Sequence, residues 1–280
     1  MRKKYFLNKV AVITGASSGI GRATAIELAR QGASVVLAAR RKTVLENVAD
    51  EIKTFGSNVL VIPTDVSDQK QVENLIATTI AQWGQIDIFI ANAGEYVRGQ
   101  VTNLTKSDFE HSFAINFYGA LYGIFAVLPH MLERKKGQIV LVSSLDAKKA
   151  IPIDGPYVAA KCAITGFFEV LRQELKRENV HVITIYPGRI DTPLIENLKM
   201  PWISPKIPAG KVASAIVRGI RKHKIEVIVP GILVIYGFLN TLSPRFMDWI
   251  VRVFHLEGWQ ASLHPTSGRA GRNNAMNVIT

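Results

Sequence analysis

Seven apolar runs of strand length recur along the chain, at residues 9–14, 34–39, 58–63, 86–91, 138–143, 180–186 and 226–229, most of them separated by amphipathic segments of helix length. A continuous Val/Ile/Leu run suits a strand covered on both faces, and an intervening helix supplies the crossover that parallel pairing needs. The alternation predicts an α/β fold: a Rossmann-type, doubly wound, seven-stranded parallel sheet with helices on both faces. No solenoid repeat, low-complexity tract or Pro/Gly-rich linker divides the 280 residues. Residues 1–260 therefore read as one domain, with 231–258 a hydrophobic and amphipathic C-terminal extension and 261–280 a flexible tail.

The 48% apolar content is that of a globular chain with an enclosed core. A single cysteine, Cys162, excludes an intramolecular disulfide and fits a reducing cytosol. Met1-Arg2-Lys3-Lys4 runs straight into a strand-like segment, without the apolar region and cleavage site of a secretory signal, so the expected location is cytoplasmic. The net charge of +12 would attract nucleic acid, anionic lipid or an anionic cofactor. The basic stretches do not fit a helix-turn-helix, and no nucleic-acid partner is expected. Six scattered histidines show no ligand spacing, so no metal is expected.

The first strand gives way to the first helix through Thr14-Gly15-Ala16-Ser17-Ser18-Gly19-Ile20-Gly21. There a pyrophosphate meets free backbone N–H groups and a positive helix end, and glycine lets it approach the main chain. Gly15, Ser17 and Gly19 also match the G-x-S-x-G elbow of serine hydrolases. Almost no chain precedes Ser17 to supply an oxyanion donor, and no histidine stands out as its partner, so the dinucleotide reading is preferred. After the second strand comes Ala38-Ala39-Arg40-Arg41-Lys42, with no carboxylate for a ribose 2′-hydroxyl and guanidinium groups suited to a 2′-phosphate. NADP(H) is expected in preference to NAD(H), with Arg40 the leading contact and Arg41 or Lys42 as helpers.

Tyr157 and Lys161 lie four apart near the start of a helix and share one face. A free phenol, with a pKa of about 10, is a poor base at neutral pH; a neighbouring ammonium is expected to favour the phenolate and let Tyr157 exchange a proton with a carbonyl or alcohol oxygen. Ser144 ends the fifth strand, at the carboxyl edge where open α/β sheets bind ligands, and its hydroxyl would steady the same oxygen.

These segments occur in the order of the short-chain dehydrogenase/reductase family, which the chain resembles from about Lys9 to Pro230: residues 14–21, Asp65-Val66, Asn92-Ala93-Gly94, Asn116, Ser144, Tyr157-Val158-Ala159-Ala160-Lys161 and Pro187-Gly188. The resemblance implies that Asp65 and Val66 flank the adenine, and that Asn92, Ala93 and Gly94 line the cofactor. It also implies that Asn116 holds a water in a proton relay through Lys161 to Tyr157, that Lys161 bonds the nicotinamide ribose, and that Ile190 and Thr192 fix the carboxamide. The implied reaction interconverts an apolar ketone or aldehyde with an alcohol, and the implied assembly is a homodimer or homotetramer built on the helices around Asn116 and Tyr157. Ala91 and Ala160 replace a frequent asparagine and a frequent serine; residues 145–149 are more charged than usual. A cofactor-binding redox sensor without turnover is the alternative, against which Ser144, Tyr157 and Lys161 all speak.

Residues 227–244 carry no charged side chain, approaching the length of a membrane span, but Pro230, Gly231, Gly237 and Asn240 interrupt them. Beyond, Phe246, Trp249, Ile250, Val253 and Phe254 form one apolar stripe opposite Arg245, Asp248 and Arg252. The stripe is expected to cover the core or substrate cleft, to join subunits, or to make peripheral membrane contact through 231–255 with the basic segment 211–224.

Overall fold

The computed structural model describes residues 5–260; the expected flexible tail at 261–280 lies outside the described residues. Seven strands form one sheet: β1 (Val10–Thr14), β2 (Ser34–Ala39), β3 (Val59–Pro63), β4 (Ile88–Ala91), β5 (Gly137–Val142), β6 (Val180–Pro187) and β7 (Glu226–Val229). Every pair is parallel, in the spatial order β3-β2-β1-β4-β5-β6-β7. The chain winds outward from β1 to β3, returns to β4 and winds the other way. That reversal leaves a crevice at the carboxyl ends of β1 and β4.

Strand alternation divides the core into two layers. Ala11 and Ile13 pack with helices α1 (Gly19–Arg30), α2 (Lys42–Lys53) and α7 (Ala209–Arg221), whereas Val10 and Val12 pack with α3 (Gln69–Trp83), α5 (Gly119–Glu133) and α6 (Gly155–Glu174). A fully buried side chain such as Ile13 or Phe89 contributes about 1.5–3 kcal/mol. Helix α4 (Lys106–Phe113) runs into α5 through a π-helical turn, Ala114–Tyr118, a widening that periodicity does not foretell. It carries Asn116 into the interior.

The C-terminal extension corrects one expectation. It forms α8 (Val234–Leu242) and α9 (Pro244–Val253), but α9 buries Met247 and Val251 and leaves Phe246, Trp249 and Val253 in solvent. Asp248, assigned to the outer face, pairs with the buried Lys149 at 2.6 Å and turns its side of the helix toward the protein. Neither helix is long enough to cross a membrane: among the described residues, the stretch long and apolar enough to do so is Lys106–Glu133, whose Ile124, Val127 and Met131 are core residues.

Candidate active site

A cleft of about 1000 Å3 opens at the carboxyl ends of the central strands. One end is the glycine turn. Gly15 has φ of +65°, and a Cβ there would stand 2.8 Å from Asn92 Nδ2 and 2.9 Å from Ala93 Cα. At Gly21 a Cβ would fall 2.3 Å from the Gly15 carbonyl oxygen. The turn is therefore packed as closely as backbone allows, and β4 buttresses it: Asn92 Nδ2 donates to Thr14 O at 2.9 Å, while Thr14 Oγ1 accepts from the N–H groups of Asn92 and Ala93 at 3.0 and 3.1 Å. Helix α1 starts at Gly19, its first turn holds no acid, and Ser18 makes no side-chain cap, so its N–H groups face the cleft unclaimed by capping side chains. The residues present fit a dinucleotide pyrophosphate.

Arg40 and Arg41, at the end of β2, line the same cleft with Asp65 and Val66. Asp65 Oδ1 accepts from Ser67 N and Oγ at 2.9 and 2.7 Å, which shapes the turn after β3. Arg41 donates to Ser17 Oγ at 3.4 Å. Ser17 thus has a guanidinium for a partner, and the cleft histidine, His111, is bonded to Glu95 at 2.9 Å; the hydrolase arrangement is not formed.

At the other end Ser144, Tyr157 and Lys161 come together. Pro156 fits the first turn of α6, and the first two turns carry Tyr157 and Lys161 inward. Ser144 and Tyr157 line the same end of the cleft, and the Ser144 hydroxyl accepts from Asp146 N at 3.1 Å. Lys161 Nζ donates to Val142 O at 3.1 Å and lies 5.7 Å from the Tyr157 ring centroid. Asn116 grips the Glu95 backbone, Nδ2 donating to Glu95 O at 2.9 Å and Oδ1 accepting from Glu95 N at 3.2 Å. A Cβ on Gly94 would stand 2.9 Å from Asn116 Oδ1 and 3.5 Å from Lys161 Nζ, so this glycine leaves room for the two side chains to converge. Beyond Pro187-Gly188, Ile190 and Thr192 line the cleft opposite α1, in a segment held by two short pairings that the sequence did not reveal: Ile190–Asp191 with Ile207–Pro208, and Leu198–Lys199 with Trp259–Gln260.

The electrostatics differ from expectation. Burial, then the Asp146 carboxylate, push the Tyr157 phenol well above its ordinary value, and only the nearby Ser144 and Arg189 oppose them. Burial alone lowers Lys161 to about 8. Desolvation therefore favours the protonated phenol at Tyr157, and the Lys161 side chain is directed at Val142 O.

A buried charge cluster adjoins Tyr157. The Tyr96 ring meets the Tyr157 ring edge to face at 4.7 Å, and its hydroxyl donates to Asp154 Oδ2 at 2.5 Å. Arg98 Nε donates to Asp154 Oδ1 at 2.6 Å, and Arg189 stands 4.0 Å from Asp146 and 3.4 Å from the Tyr96 hydroxyl. Sequence reasoning missed Tyr96, Arg98, Asp154 and Arg189. The usable signals were charges adjoining motif residues, Asp146 two places after Ser144 and Arg189 directly after Gly188. No group of three or more His, Cys, Asp or Glu side chains suited to a metal occurs among the described residues.

The short chain dehydrogenase family profile matches residues 9–201. An uncharacterized oxidoreductase of Listeria monocytogenes, Lmo0432, is 40% identical over 193 residues, 68% of this chain and 78% of its own. An Arabidopsis thaliana protein named 11-beta-hydroxysteroid dehydrogenase-like 3 is 35% identical over 248 residues, covering 86% of this chain and 79% of its own. Among solved structures, an alcohol dehydrogenase from the archaeon Thermococcus sibiricus complexed with 5-hydroxy-NADP superposes with a TM-score of 0.72 at 29% identity, covering 79% of this chain and 95% of that one. The chain belongs to the short-chain dehydrogenase family. It is an oxidoreductase of that family, whose members use a nicotinamide dinucleotide.

Proposed function

We propose that the protein reduces an apolar ketone or aldehyde with NADPH, or runs the reverse oxidation, with Tyr157 as the proton donor. The observation that carries this reading is that Ser144, Tyr157 and Lys161 line one end of the cleft that begins at the glycine turn. When bound, the nicotinamide supplies or takes up the hydride. Tyr157, kept protonated by burial and by Asp146, is ready to give its proton to a carbonyl oxygen, which favours the reducing direction. Ser144 hydrogen-bonds the same oxygen as negative charge grows on it, a contribution of about 10²–10³ in rate by analogy with oxyanion donors. Lys161 and Asn116 border the route by which a water would return the proton.

Arg40, at the mouth of the adenine end, supports NADP(H) over NAD(H), and the 5-hydroxy-NADP complex of the archaeal neighbour is consistent with that choice. The apolar substrate is supported by Leu194 and Ile195 on the cleft wall and by the Arabidopsis relative's name. Exposed Tyr118, Phe125 and Val170, on and beside α5 and α6, support a homodimer or homotetramer through those helices.

The test is Tyr157→Phe. Turnover of NADPH against a panel of steroids, long-chain ketones and small aldehydes should be lost while NADPH quenches intrinsic fluorescence as in the wild type. A variant that still turns over would remove Tyr157 as the acid; a wild type that binds NADPH but reduces nothing would favour the sensor alternative.

A further inference from the structure

Helix α8 buries none of its side chains fully and carries no charge, although nearly all its residues are apolar. Ile235, Phe238 and Leu242, spaced i, i+3, i+7, make one exposed stripe, with Phe238 63% and Leu242 66% in solvent; Ile232 just before the helix is 74% exposed. On α9, which packs against α8, exposed Phe246, Trp249 and Val253 repeat the same spacing, and the Phe246 and Trp249 rings stack at 5.9 Å. The loop beyond the cleft adds Trp202, 84% exposed, and the pairing of Trp259 with Lys199 holds a further exposed tryptophan beside that loop. So much clustered apolar surface marks an interaction site.

We propose that α8, α9 and the 198–203 loop form a docking face for an anionic lipid surface, and that the substrate cleft opens beside it so that apolar carbonyl compounds enter from the bilayer. The second clause rests on the reductase reading above.

Three observations favour lipid over a protein partner. First, three of the chain's four tryptophans, Trp202, Trp249 and Trp259, are exposed here, and an indole with one apolar and one polar end suits the headgroup level of a bilayer. Second, the charge beside the apolar stripes on α9 and the 198–203 loop is positive: Arg245, Arg252 and Lys199 are exposed, and the one acid on α9, Asp248, is paired with Lys149. An apolar face with a basic flank is what anionic headgroups attract, whereas a second copy would bring basic flank toward basic flank. Third, Gly231–Leu242 is too short to cross a bilayer and has the composition to lie in its interface.

The link to the cleft is direct. Arg189, a cleft residue, donates to Leu256 O at 2.5 Å, and Arg98 donates to Glu257 O at 2.6 Å, anchoring the segment after α9. Leu233, before α8, lies so close to Gly188 that a Cβ there would meet it at 2.7 Å. Leu194, on the cleft wall and four residues before the 198–203 loop, is exposed as well.

The experiment is flotation of the full chain with vesicles of phosphatidylcholine alone or mixed with phosphatidylglycerol. The wild type should float with the mixed vesicles and be released by salt. Phe238→Glu with Trp249→Glu should cut partitioning by about tenfold per residue, and Arg245→Gln with Arg252→Gln should cut the preference for anionic vesicles by about fivefold per residue. Unchanged NADPH binding verifies that each variant is folded. A wild type that stays with neither vesicle, equal flotation of the Glu variant, or a lipid-free dimer that the Glu variant abolishes would overturn the proposal. Reduction of a vesicle-dissolved ketone should fall in the Glu variant while reduction of a water-soluble aldehyde persists; equal loss or equal retention of both overturns entry from the bilayer. If the wild type floats but reduces no carbonyl, the reductase reading fails and the docking face stands.

Discussion

Replacing Asp154 with asparagine tests whether the charge cluster beside Tyr157 is a paired unit. Asp154 is 0% exposed and accepts from Arg98 Nε at 2.6 Å and from the Tyr96 hydroxyl at 2.5 Å, while the Arg98 side chain is only 11% exposed. With Asp146 and Arg189 nearby, two carboxylates balance two guanidinium groups. Asparagine keeps the shape and leaves one buried positive charge without its counterpart, a change that costs about 3–5 kcal/mol when a buried pair is broken. Burial raises the Asp154 carboxyl more than Arg98 lowers it, so the pair is a costly one and the lower figure applies. At a few degrees per kcal/mol for a chain of this size, the thermal midpoint should fall by about 6–12 °C. Calorimetry of the wild type, Asp154→Asn, and Arg98→Met with Asp154→Leu would measure it. The double variant removes both charges and should unfold near the wild-type midpoint. Because the Tyr96 ring packs against Tyr157, kcat should fall in Asp154→Asn while NADPH affinity holds. An Asp154→Asn midpoint within a degree or two of wild type, or a double variant no better than the single, would refute the reasoning.

Arg40→Asp should weaken NADPH binding by about 100-fold or more, through loss of a charge-assisted contact to the 2′-phosphate, and leave NADH nearly unaffected; equal effects on both, read by fluorescence titration, would remove Arg40 from that contact. Gly21→Ala puts a methyl 2.3 Å from the Gly15 carbonyl, so the turn must shift, and NADPH affinity should fall at least about tenfold with the thermal midpoint also reduced. Lys161 has a folded value of about 8, below its unfolded one; between the two the unfolded chain holds a proton that the folded chain lacks, so stability from this group rises with pH across that window and is lost as pH falls toward 8. Urea midpoints of the wild type and Lys161→Met should therefore converge as pH rises above 8, and a constant gap would contradict the burial of the ammonium.

What the sequence determined by itself is everything written in consecutive residues. The seven apolar runs announce the sheet because a strand covered on both faces needs uninterrupted apolar side chains, and the helices between them announce its parallel pairing; the strand order came from the fold. The glycine turn, the Tyr157–Lys161 face and Ser144 at a strand end were legible for the same reason, since each is a local geometry of one turn, one helix or one strand. Arg40 could be placed because it directly follows β2.

Tertiary structure decided what depends on groups brought from afar. Tyr96 and Asp154 are 58 residues apart, and Arg189 and Tyr96 are 93 apart, yet they share one buried cluster that sets the charge around Tyr157. The rise of the phenol's pKa, against the fall expected from Lys161, comes from that enclosure, and no spacing encodes desolvation. Helix α9 makes the same point. Its sequence supports two apolar faces, Met247 with Val251 and Phe246 with Trp249 and Val253, and periodicity ranks the larger side chains as the buried set. The protein turns the other face inward, because the surface that α9 meets, including Lys149 waiting for Asp248, exists only once the chain is folded.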